Sequence, residues 1–422
     1  MMSKPSFNHL SKLALILTFV AAWVSFFSPF AFLREFGIRP LNLISPALFA
    51  FLICVKGSIG EKVKLVGKKY FLNIWTFFYS SFIVLLVLFQ FFLFYDRLNV
   101  PSFFAQFACF AAYFFISFVL FNQLSQLNSA HIEGAFSFAI YLLILFWFID
   151  FLWPEFLGNE IFSSGEKGRT TGLFYEPTAV GVFSGFIIVS LLFSTCPHSR
   201  VIKIILGLIV SFMAIESATK IFVVFLVIHF LIFEVWRLHV RAILPALVLL
   251  VLTAAYFVFF GLRNEINVDD NLSVAFRLGS NWLTMLLLRD FYFIGGIGFG
   301  QFGHYAASLD SPDFLYASKE YAALIYGSHE TRVSTYNMLL RLWVEMSIFS
   351  FLGVVFALVK ARSILQIGGS HRQRNFWFLQ PLFSAVIVSV LSTDSYTLPI
   401  YPLFTALCLY FYRLSREDCR IH

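Results

Sequence analysis

Residues 135–153 read AFSFAIYLLILFWFIDFLW, a run of apolar side chains in which Ser137 and Asp150 are the only clearly polar positions. Because an α-helix rises about 1.5 Å per residue, about 20 apolar residues cross the hydrocarbon core of a bilayer. This stretch therefore has the length and polarity of a transmembrane helix. Runs of the same kind recur along the chain and decide the fold.

The recurring apolar runs predict an all-α integral membrane protein, a polytopic bundle of about 12 transmembrane helices. The first run is longer than the core of a signal peptide and lacks a clear cleavage site, so we predict an uncleaved helix. Residues 1–422 then form one polytopic membrane domain. The predicted spans are residues 13–33, 41–55, 70–95, 102–121, 135–153, 177–195, 201–216, 220–235, 243–262, 336–358, 377–393 and 399–412.

The composition excludes two broad classes of protein. Of the 422 residues, 59% are hydrophobic and 13% are charged, whereas soluble proteins average about 45–50% and about 25%. A soluble enzyme is therefore excluded. The net charge of +7 is divided among many short loops and is not gathered on one face, so nucleic-acid binding is excluded as well.

Lysine and arginine residues set the predicted orientation, because basic loops are retained on the cytoplasmic side of a membrane. With the N-terminus inside, the inward segments carry Lys and Arg at more than twice the density of the outward segments. The inward segment 56–69 alone holds five lysines. We therefore predict a multi-pass protein with both termini in the cytoplasm.

Two outward segments, residues 154–176 and 263–335, are long enough to suggest function. The second contains the glycine-rich run GGIGFGQFG at residues 295–303. Gly298, Gly300 and Gly303 formally match the dinucleotide-binding fingerprint, but that motif works only between a strand and a helix of a βαβ unit. We predict instead a backbone turn that lies close to another segment or to a ligand.

Cationic side chains on the outward side are candidate ligands for a diphosphate. The planar guanidinium of Arg binds phosphate oxygens in pairs, and a lysine in the short turn at Lys220 is costly unless it is paired or faces water. The alternatives are an ion pair of Arg169 with Glu166, a pair of Lys220 with Glu216, or ordinary solvated loop charges. The candidate diphosphate-binding residues are Arg169, Lys220, Arg277, Arg289 and Arg332.

Two further residues are candidates for handling a proton. Glu176 precedes Pro177, which suits the first position of a helix; its carboxylate can accept a proton from a hydroxyl, or can simply favour the positive end of the helix dipole. His329 can act as a base at neutral pH, or can be an exposed loop residue. Neither outward histidine, His304 or His329, has a partner at metal-ligand spacing, so we predict no metal site and no cofactor.

Arg341 and Glu345 share one face of the predicted span 336–358, because they are four positions apart. They lie about one to two turns below the outer surface, where charged groups normally face the interior of a bundle. Two interpretations stay open: a structural ion pair, or side chains that line a substrate cavity.

Three stretches together resemble the family of O-antigen and exopolysaccharide polymerases, which also includes the O-antigen ligases. They are RTTGLFYEP at residues 169–177, residues 277–282 with 289–302, and NMLLRLWVE at residues 337–345. Their order and their common outward side carry the resemblance. The chain departs from the family at Tyr336, where ligase-like members have His, at Lys220, where the family has Arg, and at Ser347, where the family has Gly.

The resemblance implies a fold similar to that of the C-type membrane glycosyltransferases, in the bacterial inner membrane, with residues 263–335 as a large periplasmic loop. It implies transfer of a growing glycan from undecaprenyl diphosphate to a lipid-linked repeat unit, without metal or nucleotide. The implied partners are undecaprenyl diphosphate-linked oligosaccharides, with a chain-length regulator and a flippase as candidate protein partners. Arg169, Lys220 and Arg277 would bind the diphosphate, and Glu176 or His329 would act on the acceptor.

Two rival functions stay open. An O-antigen ligase would transfer the finished chain to lipid A core, and Tyr336 disfavours it. A flippase or transporter for lipid-linked oligosaccharides would do no covalent chemistry. Its expected interrupted helices and midplane charges are not apparent in the sequence, and the large outward loop is unusual for it.

Overall fold

The computed structural model describes residues 129–153, 177–193, 198–216, 221–234, 337–367, 377–392 and 400–418, with Phe174, Gly296 and scattered positions between 12 and 127. These residues are almost entirely helical, and none of them forms a strand. The all-α class is therefore confirmed for this part of the chain. The predicted spans 41–55 and 243–262 lie outside the described residues.

The helices lie close to the predicted spans, and α2 begins at Pro177 as expected. A π-helical turn, Phe230–Glu234, continues the fourth helix. The helices are α1 (Ser129–Leu152), α2 (Pro177–Phe193), α3 (Arg200–Glu216), α4 (Ile221–His229), α5 (Met338–Met346), α6 (Ile348–Ile367), α7 (Leu379–Ser392) and α8 (Ile400–Asp418).

Among the described residues, two helices are long and apolar enough to cross a membrane. They are Ser129–Leu152 and, within α6, Ile348–Gln366. Shorter apolar helical stretches lie in α2, in α4 with its π-helical turn, in α7 and in α8. The structure thus contains helices that are able to cross a membrane. The number of twelve spans stays a prediction.

Helix α3 presents large apolar side chains on opposite faces. Leu206, Val210 and Met213 are buried, whereas Val201, Ile204, Leu208 and Ile215 are each more than 60% exposed. A helix that is apolar all round belongs either in a protein core or against lipid. The exposed stripe is therefore of the kind that lipid, rather than water, accommodates.

The core is built mainly of aromatic rings, and α2 lies at its centre, packed against α3, α4 and α7. The Phe136 and Phe378 rings stack with centroids 4.2 Å apart and so join α1 to the start of α7. A Cβ added to Gly185 of α2 would lie 2.5 Å from Cγ of Phe225 in α4. These two helices therefore approach more closely than a side chain at position 185 would allow without a shift of Phe225.

The predicted single helix at residues 336–358 is wrong, because the chain breaks at Ser347. This residue has φ 119° and ψ 170°, a conformation that no helix can include and that favours glycine. Its backbone N–H still donates to the carbonyl of Trp343 at 2.9 Å and so closes α5. The second helix, α6, then runs nine residues beyond the predicted end, to Ile367.

Candidate functional site

Helix α5 begins at a side-chain cap. Asn337 is extended, with φ −146° and ψ 110°, and its Oδ1 accepts hydrogen bonds from the backbone N–H groups of Leu339 and Leu340 at 3.0 and 3.2 Å. An asparagine in this position satisfies donors that have no partner inside the helix. The Asn of the third resembling stretch thus fixes where α5 starts.

Arg341 and Glu345 form the ion pair that their spacing allows. Nε of Arg341 lies 3.0 Å from Oε1 of Glu345, and the two side chains are 2% and 0% exposed. Removing two charges from water costs several kcal/mol for each ion, so a buried pair is weak evidence for stabilisation. The two side chains therefore form an ion pair, and both its purely structural role and its place in a substrate cavity stay predictions.

The end of α5 is covered by residues from two distant parts of the chain. Gln90 donates from Nε2 to the carbonyl of Glu345 at 3.1 Å. Gly296 has φ +69°, and a Cβ built on it would lie 2.8 Å from the Glu345 carbonyl oxygen and 2.9 Å from that of Val344. Gly296 of the glycine-rich run thus lies close to another segment, and the approach predicted at Gly298, Gly300 and Gly303 lies outside the described residues.

Two serine hydroxyl groups lie at the break between α5 and α6. The side chains of Ser347 and Ser350 are 0% and 6% exposed, and neither Oγ makes a hydrogen bond in the structure. Their backbones are joined, because Ser350 N–H donates to the carbonyl of Ser347 at 3.1 Å. A buried ion pair, a strained serine and two free hydroxyls therefore lie within ten residues of one another.

A second polar contact lies elsewhere in the bundle, at the π-helical turn. Nδ1 of the buried His229 lies 2.8 Å from Oγ of Ser384, which donates to the carbonyl of Gln380. This contact joins α4 to α7. π-Helical turns often occur at functional sites, but this one lies apart from the α5–α6 break in the sequence and joins different helices.

His198 lies in the connection between α2 and α3. Its Nε2 is 3.3 Å from the hydroxyl of Tyr141, and its ring packs edge-on near Trp377 with centroids 6.2 Å apart. Burial lowers the pKa of His198 below its ordinary value, and the charge of Lys203 lowers it further. The neutral imidazole is therefore the form that this setting favours.

Most of the predicted site residues lie outside the described residues. Of the predicted site, the structure describes Arg341 and Glu345, and it brings them together as an ion pair. The undescribed residues are Arg169, Glu176, Lys220, Arg277, Arg289, His329 and Arg332. Their roles stay predictions.

Sequence reasoning missed Gln90 and the broken helix at Ser347. Gln90 is a polar residue in the apolar stretch IVLLVLFQFFLF at residues 83–94, and a buried amide in such a setting needs a hydrogen-bond partner. The sequence therefore indicates that Gln90 needs a partner. It does not indicate which residue that partner is, because Glu345 is 255 residues away.

Among the described residues, no group of three or more His, Cys, Asp or Glu side chains is placed to hold a metal. No protein-family model matches the chain, and no curated protein matches it. The described site offers a guanidinium and a carboxylate that are shielded from water. Their electrostatic interactions with a charged bound group are stronger there than in bulk water.

Proposed function

We propose that this protein is a polysaccharide polymerase of the bacterial inner membrane. It transfers a growing glycan from undecaprenyl diphosphate to the terminal sugar of a lipid-linked repeat unit on the periplasmic face. The bond from the sugar to the diphosphate breaks, a bond to the acceptor oxygen forms, the acceptor hydroxyl loses its proton, and undecaprenyl diphosphate leaves.

One observation carries the proposal. Two of the three stretches that resemble the polymerase family meet in space, since Gly296 belongs to residues 289–302 while Val344 and Glu345 end residues 337–345. The contact lies beside the buried Arg341. Segments that are about 50 residues apart and share a reaction would be expected to converge in this way, around charged groups shielded from water.

The proposed chemistry is electrostatic. The leaving diphosphate gains negative charge as its bond to the sugar breaks, and fixed cations in a site of reduced dielectric stabilise that charge. Arg169, Lys220 and Arg277 are proposed to bind the diphosphate, with Arg289 and Arg332 nearby. Glu176 or His329 is proposed to position or deprotonate the acceptor hydroxyl. No metal or nucleotide enters the proposed reaction.

The proposed topology has about twelve spans with both termini in the cytoplasm. Two long-range contacts among the described residues are consistent with this topology, because each joins residues predicted on the same side. Tyr410 donates to the carbonyl of Leu127, and both belong to the predicted inner side. Gln90, Gly296 and Glu345 all belong to the predicted outer side.

A flippase for lipid-linked oligosaccharides is the second candidate, and one observation favours it. The break at Ser347 makes α5 and α6 an interrupted helix with charges buried beside it. Discontinuous helices of this kind hold the substrate sites of many transporters. This interrupted helix was not apparent in the sequence.

A deletion strain examined on one lipopolysaccharide gel separates the candidates. We expect loss of the polymerase to leave core carrying one repeat unit. Loss of a ligase would leave polymer on its lipid carrier, and loss of a flippase would leave single units on the inner face. An intact ladder of chain lengths in the deletion strain would contradict all three.

Arg169→Ala tests the proposed site in the same strain. We expect this variant to abolish the ladder at unchanged membrane abundance, because a diphosphate would lose a bidentate partner. Arg200→Ala, at the predicted inner start of α3, is the control and should keep the ladder. Near-normal polymer from Arg169→Ala would remove Arg169 from the site.

A further inference from the structure

Gly296 is held in a position that only glycine fits. Its φ of +69° lies in the left-handed region, which side chains disfavour. A Cβ there would lie 2.8 Å from the carbonyl oxygen of Glu345, 2.9 Å from that of Val344 and 3.0 Å from Nε2 of Gln90. Conformation and space therefore exclude a side chain independently of each other.

The two closest atoms belong to the backbone of α5, so they can move only if the helix end moves. That helix end carries Glu345, whose carboxylate is paired with Arg341. The same carbonyl of Glu345 accepts the hydrogen bond from Gln90. A shift of Gly296 would thus be transmitted to the ion pair through a short, rigid path.

We propose that Gly296 and Gln90 are positioning residues. Together they hold the chain at Gly296 against the end of α5, and so set the place of Glu345 and Arg341 relative to Gly296. This inference rests on the proposed polymerase activity. It assigns the glycine-rich run a mechanical role in that activity, in place of nucleotide binding.

The chain offers matched glycine controls. Gly207 in α3 has nothing within 4 Å of an added Cβ, so Gly207→Ala leaves the fold intact. Gly185 in α2 would meet Phe225 at 2.5 Å, so Gly185→Ala introduces a comparable clash far from α5 in the sequence. An effect of Gly296→Ala that neither control shows is specific to the α5 contact.

The first measurement is hydrogen exchange on the full chain purified in detergent. We expect Gly296→Ala to raise exchange in peptides covering residues 290–300 and 340–350, and Gly207→Ala to leave both unchanged. Unchanged exchange in both peptides with Gly296→Ala would overturn the contact and with it the proposal. Gln90→Leu, which removes the donor without a backbone clash, should raise exchange at residues 340–350 and serves if Gly296→Ala fails to fold.

The second measurement is turnover with lipid-linked repeat units extracted from the deletion strain. We expect Gly296→Ala to lower kcat at least tenfold and to change KM less than threefold, because the bound substrate meets a displaced Arg341–Glu345 pair. Gly185→Ala should lower thermal stability while each folded molecule keeps its kcat. Increased exchange with unchanged kcat would overturn the positioning role and leave the proposed function standing.

The two proposals fail in different ways. If the wild-type chain makes no polymer from these units, the proposed function fails and the positioning role fails with it, while the exchange data still report the contact. If the wild-type chain makes polymer and Gly296→Ala makes it equally fast, the inference alone fails.

Discussion

The aromatic core around α2 and the break between α5 and α6 are both buried, but they are built in opposite ways. In the core, Phe183, Phe186 and Phe225 are fully buried, and the rings of Phe183 and Phe186 pack with centroids 6.4 Å apart. At the break, Arg341, Glu345 and Ser347 are almost fully buried and bring two charges and a free hydroxyl into the same bundle.

This difference indicates that the aromatic core contributes stability and that the break between α5 and α6 serves function. Helices in a membrane are held together by the van der Waals packing of their apolar side chains, whereas a buried ion pair is often neutral or worse than an apolar pair of the same size. Strain at Ser347 adds a further cost. A chain that keeps charge and strain in one place, while its core is apolar, is expected to use that place.

The largest effect should come from removing one partner of the ion pair. Arg341→Met leaves Glu345 buried without its cation, and we expect it to lower the free energy of unfolding by about 3–5 kcal/mol. The double variant Arg341→Met with Glu345→Leu should recover most of this loss. Thermal unfolding in detergent measures both, and a double variant as unstable as the single one would contradict the account.

The same double variant decides between the two interpretations of the pair. If it folds and still forms the ladder of chain lengths, the pair is structural only. If it folds and forms no ladder, the charges serve the reaction.

An intermediate effect is expected in the aromatic core. Gly185→Ala forces a methyl group against Phe225, and overpacking of this kind costs about 1–3 kcal/mol. Gly207→Ala, in open space on α3, should instead stabilise by about 0.5–1 kcal/mol because it favours the helix. Thermal unfolding that ranks the two variants in the opposite order would show that α2 and α4 are not in close contact.

A smaller effect, of opposite sign, is expected at the break. Ser347→Gly relieves the strain of φ 119° and should stabilise by about 1 kcal/mol. Ser350→Gly is the control: it lies in α6 and should destabilise by about 0.5–1 kcal/mol. Both are measured by thermal unfolding, and destabilisation by Ser347→Gly would mean that the strained conformation is absent.

The smallest effect is a pH dependence at His198. Because its pKa is lowered in the folded chain, the unfolded chain binds the proton more readily. The contribution of neutral His198 to the stability of the folded chain is therefore fully present above the ordinary pKa of about 6.5. It is lost as the pH falls below this value towards the pKa in the folded chain. The stability difference between wild type and His198→Gln, measured from pH 5 to 8, should change in this window; a constant difference would contradict the lowered pKa.

The sequence predicted the helices well and the break poorly, for physical reasons. Apolar runs such as residues 135–153 have a strong local signal, and α1 contains nearly all of that run. Ser347 has no such signal in its own residue type, because serine is tolerated inside helices; the glycine of the resembled family at this position was the one indication of a break. Arg341 and Glu345 were placed together because a four-residue spacing on a helix is itself local.

Contacts between distant segments were beyond the sequence. The glycine-rich run predicted a close approach, but not that Gly296 would meet the end of α5. Gln90 shows the same limit, since its partner Glu345 is chosen by the fold alone. The Arg341–Glu345 pair was therefore predictable from its spacing, whereas the contacts of Gly296 and Gln90 with the end of α5 were not.

The central claim is tested most directly by mixing the purified full chain with lipid-linked repeat units and no other addition, then measuring product masses. We predict products of two, three and more units, with one undecaprenyl diphosphate released for each bond formed. Units that stay unchanged in detergent, yet move between leaflets when the chain is placed in vesicles, would contradict the polymerase and establish the flippase instead.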